Sequence, residues 1–322
     1  MEAPEFDVAW PTLGFLWSAW ITRHCRVPDR HERGKPFREY DWQAWCTANH
    51  GRVRPDAVHD PDRPLLNQAF VYRRSQVIAP QKMGKGPWVA CLWQIRMLQK
   101  EEPMGTRNPS PLIQIMATSE EQVANIWRPL TTMIALGPLK DLLLPRGEFI
   151  RIIGESGDKD MDRIDRVTAS AQSRLGAPVS EVFGDETGLF TVSNKLVAVW
   201  QTMRRGAAGM GGRSTETTNA FDPAENSAAQ MTQESLRPDI FRYWRDPDVL
   251  KHADGTTLKW SVARDRRKVL AYVYAGAAHI NLDSIEAEAL ELMETDPAQA
   301  ERFFGNRKVR GKGAWLPPDL WE

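Results

Sequence analysis

The chain has 322 residues, which is enough for one large α/β domain or one domain with a smaller appendage. Lysine plus arginine and aspartate plus glutamate both number 42, so no overall charge indicates nucleic-acid binding, and any such contact must come from local patches. The 3 cysteines are odd in number and far apart, which argues against a disulfide framework or a cysteine metal site and favours a reducing compartment.

The N-terminal segment, residues 1–68, is predicted to contain helices over 13–24 and 40–49, joined by loops. Its apolar stretch near the start is broken by a serine and is too short to span a membrane. It also has no cleavage signal. We therefore expect a soluble, cytosolic protein without membrane contact.

Residues 71–93 carry the most informative pattern. A β-branched, apolar run over 75–79 is followed by a turn rich in proline, glycine and lysine, and then by apolar residues at helical spacing. This order is the context of a phosphate-binding loop, in which backbone N–H groups surround a polyphosphate and one lysine neutralises it. The candidate loop consists of Ala79, Pro80, Gln81, Lys82, Met83, Gly84, Lys85 and Gly86.

The loop matches the pattern G-x-x-x-x-G-K-[ST] only in part. Gly84 and Lys85 fit, whereas Ala79 replaces the first glycine and Gly86 stands where a hydroxyl normally holds Mg²⁺. By itself, the pattern fits an ordinary basic turn equally well. It gains weight because, of the three Gly-Lys pairs in the chain, only this one lies between a predicted strand and a predicted helix.

Two residues of the second predicted helix are candidates for the base of a bound nucleotide. Trp42 could stack on adenine, and Gln43 could hydrogen-bond its edge. The alternative is that Trp42 packs in the core and Gln43 lies exposed. The sequence leaves both interpretations open.

Strands and helices alternate beyond the loop. The pattern predicts a buried strand over 111–117, a helix from Ser119 to about Leu136, and strands over 148–154 and 163–169, with an edge position considered for the last. Such alternation indicates an α/β fold with a mostly parallel, doubly wound sheet, in which ligands bind at the carboxyl ends of the strands. We place this core over residues 69–244.

An acidic pair, Asp185 and Glu186, follows an apolar run that is predicted to be a strand. Phosphate hydrolysis needs both kinds of side chain: an aspartate that binds Mg²⁺ directly or through water, and a glutamate that orients and deprotonates the attacking water. Arg174 lies just upstream. It could be an ordinary surface arginine, or it could reach the γ-phosphate held by a neighbouring subunit.

The stretch after the acidic pair is predicted to be a helix over 194–205, a flexible linker over 206–212 and a polar strand over 213–219. The strand ends with Thr217, Thr218 and Asn219. These side chains could sense the γ-phosphate, or they could cap a helix predicted over 223–234.

Residues 245–322 are predicted to form a lid or linker subdomain with a strand over 269–274 and helices over 283–293 and 297–304. A basic tail follows, with Arg307, Lys308, Arg310 and Lys312. It could contact phosphates or simply be solvated.

The order and spacing of several short motifs resemble the ATPase domain of the tailed-phage terminase large subunit, the motor that packages DNA into procapsids. The motifs are TLGFLWSAWI, DWQ at 41–43, the basic pair Arg73 and Arg74 before APQKMGKG, MATSEEQVANIW, FGDET at 183–187, TTNAFDP at 217–223, and RFFGNRKVRGKGAWLPPDLW. The resemblance extends over nearly the whole chain.

The resemblance implies a P-loop NTPase that uses ATP and Mg²⁺ and moves double-stranded DNA without regard to sequence. It also implies a ring of identical subunits, with a portal protein and a small terminase subunit as partners, docked on the procapsid in the host cytoplasm. Gln43 would contact adenine, Lys85 the phosphates, Asp185 the Mg²⁺ and Glu186 the water, while Arg174 would act in trans. Coupling of hydrolysis to movement would fall to Thr217, Thr218 and Asn219.

Two departures from the family pattern keep alternatives open. Gly86 lacks the metal-binding hydroxyl, and the nuclease domain usual in the family has no counterpart in this sequence, so we expect no nuclease activity from it. A nucleotide-binding assembly or DNA-docking module with weak hydrolysis is therefore one alternative. A helicase-like P-loop ATPase outside packaging is another.

Overall fold

The computed structural model describes residues 8–57, 69–98, 111–154, 161–167, 177–209 and 211–311, apart from the side chains of 120–122. The helices are α1 (Gly14–His24), α2 (Asp41–His50), α3 (Lys85–Leu98), α4 (Glu120–Leu136), α5 (Leu196–Ala208), α6 (Ala228–Glu234), α7 (Ala263–Val273), α8 (Leu282–Thr295) and α9 (Pro297–Phe303). The strands are β1 (Arg74–Ile78), β2 (Leu112–Met116), β3 (Leu143–Pro145), β4 (Phe149–Ile152), β5 (Arg163–Val167), β6 (Glu181–Asp185), β7 (Arg213–Thr218) and β8 (Ile240–Trp244).

The described strands form one 8-stranded sheet in the order β3-β4-β5-β2-β6-β7-β1-β8. All pairings from β5 across to β8 are parallel, and only β4 pairs in the antiparallel sense, with β3 and with β5. The carboxyl ends of β6, β7 and β1, which are neighbours in that order, therefore meet at one end of the sheet. The predicted α/β fold with a mostly parallel sheet is confirmed.

Helices cover both faces of the sheet, as expected for a doubly wound fold. Alternate residues of β2 enter two separate cores: Ile113 and Ile115 pack with α3 and α4, whereas Leu112 and Met116 pack with α5. Since side chains point alternately to opposite faces of a strand, the uninterrupted apolar run of β2 is explained by burial on both sides. The larger core also takes in residues from α1, α2, α7, α8 and the end of the described chain.

The strand predicted at 163–169 is present as β5 over its described part, but it is an interior strand between β4 and β2. An edge position is wrong because the antiparallel pair β3 and β4 extends the sheet beyond it. Sequence reasoning missed β3, which has only three residues, and β8, which forms the opposite edge beside β1.

The strand predicted over 269–274 is wrong, because these residues form the last turns of α7 and its C-cap. Val269, Leu270 and Val273 are buried on one face at helical spacing, a pattern that a short apolar run shares with a buried strand. The linker predicted over 206–212 is partly wrong, because α5 continues through Ala208. The predicted helices over 283–293 and 297–304 correspond to α8 and α9, which are capped by Asn281 and Asp296.

The division into an N-terminal segment, an ATPase core and a lid or linker subdomain stays a prediction. Cys25, Cys46 and Cys91 are buried free thiols, in agreement with the expected lack of a disulfide framework. Within the described ranges, no helix combines the length and the apolar character that crossing a bilayer requires.

Candidate active site

The predicted order of strand, loop and helix is found at residues 74–98. The loop leaves the end of β1 and α3 begins directly at Lys85. Lys82 and Gly84 have positive φ angles of 65° and 98°, so the backbone turns through the left-handed region twice before the helix starts. Among the described residues, none accepts a hydrogen bond from the backbone N–H of Gly84, Lys85 or Gly86. Free N–H groups at the positive end of a helix form an anion-binding cradle.

Lys85 is buried beneath this cradle and is surrounded by oxygen atoms. Its Nζ donates to the carbonyl oxygen of Ala79 at 2.8 Å, to that of Pro80 at 3.2 Å and to Oδ1 of Asn219 at 2.8 Å. It also lies 3.9 Å from Oε1 of Glu186. Burial lowers the pKa of the Lys85 ammonium, and the attraction of nearby carboxylates opposes that shift. Phosphate oxygens would have to compete with these internal acceptors.

The acidic pair lies at the end of β6, which is separated from β1 by β7. Oδ1 of Asp185 accepts a hydrogen bond from the Thr217 hydroxyl, and Oε2 of Glu186 accepts one from the backbone N–H of Asn219 at 3.1 Å. Glu186 has a φ of 53°, a left-handed conformation that is strained for a residue with a side chain. Strain of this kind is concentrated at functional sites, where the surrounding structure holds it.

The two carboxylates differ in their surroundings. Burial, together with repulsion from Glu186, raises the pKa of Asp185 to about 7, although the hydrogen bond from Thr217 and the charge of Lys85 act in the opposite direction. A cation beside Asp185 would favour its ionised form. Asp185 is therefore a candidate ligand for a cation.

The donor set fits Mg²⁺ bound together with phosphates. Mg²⁺ retains several waters and needs only one or two carboxylates besides phosphate oxygens, and Asp185 supplies one. Within the described residues, no group of three or more His, Cys, Asp or Glu side chains could form an all-protein metal cage. A Cβ at Gly86 would meet no atom within 4 Å, so a larger residue would fit there. Steric crowding therefore does not explain why the hydroxyl is missing.

Residues 217–219 connect both halves of the site. Thr217 binds Asp185, Thr218 accepts a hydrogen bond from the Gly188 N–H at 3.0 Å, and Asn219 binds Lys85 and Glu186 at once. The alternative that they cap the next helix is wrong. That helix, α6, begins at Ala228 and is capped by Ser227, whose side chain accepts from the Gln230 N–H.

Gln43 lies behind the loop and is fully buried, so the alternative of an exposed side chain is wrong. Its Nε2 donates to the carbonyl of Gly84 at 3.1 Å, and its Oε1 accepts from the Tyr40 N–H at 2.9 Å. Trp42 is also fully buried and packs against Trp88, as its alternative predicted. The contact of Gln43 with adenine stays a prediction, and its visible role is to hold the loop.

The outer side of the loop is held by residues that sequence reasoning missed. The Tyr274 hydroxyl donates to the Gln81 carbonyl at 2.9 Å, and the Gln81 N–H donates to the Phe303 carbonyl at 2.8 Å. Nε2 of His279 lies 2.9 Å from the Lys82 carbonyl. No local pattern could have found these contacts, because they join residues roughly 200 positions apart in the chain.

Two predicted residues, Arg174 and Lys312, lie outside the described residues, so their roles stay predictions. Within the basic tail, Arg307 forms ion pairs with Asp248 and Glu301. Lys308 lies 4.1 Å from the ring centroid of Trp244. These two cations therefore have internal partners, whereas Arg310 is exposed.

The solved structures that this chain resembles include phage large terminases. The HK97 bacteriophage large terminase is 16% identical, with a TM-score of 0.64 over 92% of this chain and 56% of that one. The ATPase domain of the Thermus phage P74-26 large terminase is 13% identical, with a TM-score of 0.45 over 74% of this chain and 89% of its own. The large terminase of a thermophilic bacteriophage, in complex with ADP, is 10% identical, with a TM-score of 0.47 over 76% of this chain and 50% of its own.

No protein-family model matches the chain, and no curated protein does. The chain spans 56% of the HK97 protein, and at 16% identity the similarity establishes the fold alone. The predicted fold is confirmed: this chain has an α/β architecture with a mostly parallel sheet, similar to that of the HK97 large terminase.

Proposed function

We propose that this protein is a Mg²⁺-dependent ATPase that drives the translocation of double-stranded viral DNA into a procapsid, as the motor domain of a terminase large subunit. The observation that supports this most strongly is the convergence of Lys85, Glu186 and Asn219 at the carboxyl ends of neighbouring parallel strands. Ligands of open α/β sheets bind at that end.

The side chains have separate tasks in the proposed reaction. The N–H groups at the start of α3 and the Lys85 ammonium would bind the β- and γ-phosphates, and Asp185 would hold Mg²⁺, which would neutralise charge on the phosphates. Glu186 orients the attacking water and accepts its proton. The hydrogen bond from the Asn219 N–H keeps the Glu186 carboxylate directed toward the phosphate side.

Asn219 also provides a route from hydrolysis to movement. It contacts Lys85 and Glu186 and is followed closely by Asp222. Oδ2 of Asp222 accepts from Arg302 at 3.1 Å and from the Gly311 N–H at 2.7 Å. A shift of Asn219 when the γ-phosphate leaves would therefore reach the end of the described chain through this short path.

The decisive experiment measures ATP turnover with Mg²⁺, with and without duplex DNA. We expect turnover in the wild-type protein and a loss of at least about 100-fold in Lys85→Ala and Glu186→Gln. The exposed helix residues Lys268 and Glu291 supply matched controls, Lys268→Ala and Glu291→Gln, which should keep wild-type turnover. Nucleotide binding without turnover would favour the assembly or DNA-docking module instead.

The helicase-like alternative can be distinguished from the packaging motor by whether the DNA duplex stays intact. A packaging motor should move along intact double-stranded DNA without opening it, whereas a helicase should unwind a duplex with a single-stranded tail. Strand separation coupled to ATP turnover would contradict the packaging proposal.

The proposed ring and the role of Arg174 can be tested by mixing inactive subunits. If Arg174 acts on a neighbour's γ-phosphate, Arg174→Ala and Glu186→Ala subunits together should regain part of the activity, since one supplies the base and the other the arginine. No recovery in mixed assemblies would mean that Arg174 acts within its own subunit or has no catalytic role. Contacts with a portal protein and a small terminase subunit belong to the same proposal.

A further inference from the structure

The opposite end of the sheet borders an open cavity of about 400 Å³. It lies where β1 and β7 begin and where α5 ends, and α6 forms its far wall. Five arginines contribute to its lining: Arg73, Arg74, Arg204, Arg205 and Arg213. Positive charges this close together repel one another unless a partner neutralises each of them.

Some of these arginines have internal partners. Arg213 is buried and donates to the Tyr72 carbonyl at 3.1 Å and to the backbone of His50. Arg73 pairs with Asp239 at 2.9 Å. Arg205 is exposed and donates only to the Thr202 hydroxyl of its own helix, within the described part of the chain.

Arg74 and Arg204 differ from these, because neither side chain makes a hydrogen bond or an ion pair with any described residue. The Nε–H of Arg74 is buried and still has no acceptor among the described residues. A buried donor without an acceptor costs free energy, so an external acceptor would stabilise this arrangement.

The neighbouring acids do not cancel this positive charge. Arg74 is attracted by Glu216 and Asp239 and repelled by Arg73 and Arg242. Glu216 is buried and accepts from Gln76 at 2.8 Å, and burial raises its pKa to about 7, which weakens it as a partner for Arg74. Asp239 already binds Arg73 and Arg237.

We propose that this cavity is a phosphate-binding site that receives backbone phosphates of duplex DNA. The inference rests on the proposed function, because the DNA is the load of the motor. Arginine presents a planar fork of donors that matches phosphate oxygens, and the cavity offers such forks from β1 and from α5. Contacts to backbone phosphates carry no base information, as expected for binding that does not depend on sequence.

The site is separate from the nucleotide site. Arg74 is at the first residue of β1 and the phosphate loop follows its last, so the two sites are about 16 Å apart along the strand. Both can therefore be occupied at once. The basic pair Arg73 and Arg74 precedes the phosphate loop in sequence but serves the opposite end of the sheet.

The test measures binding of a labelled random-sequence duplex, without nucleotide, at several salt concentrations. The Arg204→Gln/Arg205→Gln double variant should bind about tenfold more weakly, and its slope of log affinity against log salt should be smaller by about 2. The control is Arg264→Gln, which alters an exposed helix arginine with one 3.7 Å ion pair elsewhere on the surface. Unchanged affinity and slope in the double variant would overturn the proposal.

Two further measurements cover a misfolded double variant and binding of a free anion. If thermal unfolding shows that the double variant is misfolded, the exposed Arg205→Gln change alone should still lower the salt slope by about 1, and no change would overturn the proposal. Pyrophosphate that binds the wild-type cavity without displacing DNA would assign it to a free anion and overturn the DNA assignment. DNA binding is measured without nucleotide, so its failure is distinct from a failure of ATP turnover.

Discussion

The two ends of the parallel sheet differ in how their charges are balanced. At the carboxyl end, the single ammonium of Lys85 has three hydrogen-bond acceptors and a nearby carboxylate. At the amino end, Arg74 and Arg204 have no partner among the described residues, and the adjacent acids have hydrogen-bond or ion-pair partners of their own. The lysine at the carboxyl end has internal acceptors, whereas two arginines at the amino end have none among the described residues.

Under the two proposals, the difference corresponds to two modes of phosphate binding. A ligand at the carboxyl end must replace the hydrogen bonds that Lys85 makes within the protein. This favours one binding geometry, and it should shift the residues at the ends of the surrounding strands. A ligand at the amino end meets exposed and half-buried cations that salt can screen, which favours loose, sequence-independent binding.

The largest effect is expected for Asp185→Asn. Hydrolysis should fall at least about 100-fold, because the amide cannot replace the carboxylate as a Mg²⁺ ligand. The same variant should be more stable than wild type at pH 8, by on the order of 2 kcal/mol, because it removes a buried charge whose pKa is raised.

The sign of this stability change follows from the raised pKa of Asp185. The folded wild type keeps its proton up to about pH 7 whereas the unfolded chain loses it in the usual acidic range, so wild-type stability falls as pH rises between these values. The advantage of Asp185→Asn should therefore be smaller at pH 5 than at pH 8, in urea unfolding without Mg²⁺ or nucleotide. Asp141→Asn, at an exposed acid, is the control. A variant less stable than wild type at pH 8 would contradict this account.

Asn219→Ala should reduce kcat by roughly 10- to 100-fold, because Lys85 loses the acceptor Oδ1 that helps to position it, while the backbone N–H that binds Glu186 is kept. Asn219→Asp keeps an acceptor for Lys85 and should retain more nucleotide affinity than Asn219→Ala. Steady-state turnover and nucleotide titration distinguish these effects. Equal behaviour of both variants would mean that the Lys85 contact is dispensable.

Tyr274→Phe tests whether the outer contacts hold the phosphate loop. Losing the hydroxyl frees the Gln81 carbonyl, so we expect the KM for ATP to rise by about fivefold while kcat changes less than about twofold. Tyr272→Phe, two residues earlier on the same helix, is the matched control. A drop in kcat at unchanged KM would assign Tyr274 to the chemical step instead.

The smallest effect is expected for Gly86→Ser, which restores the hydroxyl missing from the loop. The position is open to a Cβ, and serine also favours helix over glycine, so the variant should fold. The Mg²⁺ concentration for half-maximal turnover should fall by about two- to fivefold. Gly86→Ala adds the carbon without the oxygen, and an equal shift in both variants would exclude metal binding by the hydroxyl.

The components of the site could be predicted from sequence because each is a local pattern at the end of one strand. The loop at 79–86, the acidic pair and the polar end of β7 all fall at the carboxyl end, where parallel strands bring them together. The partners of the loop could not be predicted, because Tyr274, His279 and Phe303 contact it across about 200 residues of sequence.

The errors in the fold have equally specific causes. The residues at 269–274 form too short an apolar run for its period to separate strand from helix. The interior position of β5 depends on the antiparallel pairing of β4 beside it, and pairing partners leave no mark in a single strand's sequence. The cavity at the amino end could not be predicted from sequence, because its arginines come from strands and helices far apart in the chain.

The most direct test of the central claim is an equilibrium titration of wild-type protein and Lys85→Ala with ATP-γ-S and Mg²⁺. If the carboxyl end of the sheet binds the triphosphate, the wild type should saturate at a single site and the variant should bind at least about 100-fold more weakly. Equal affinity in both proteins would place the nucleotide elsewhere and contradict the assignment of this site.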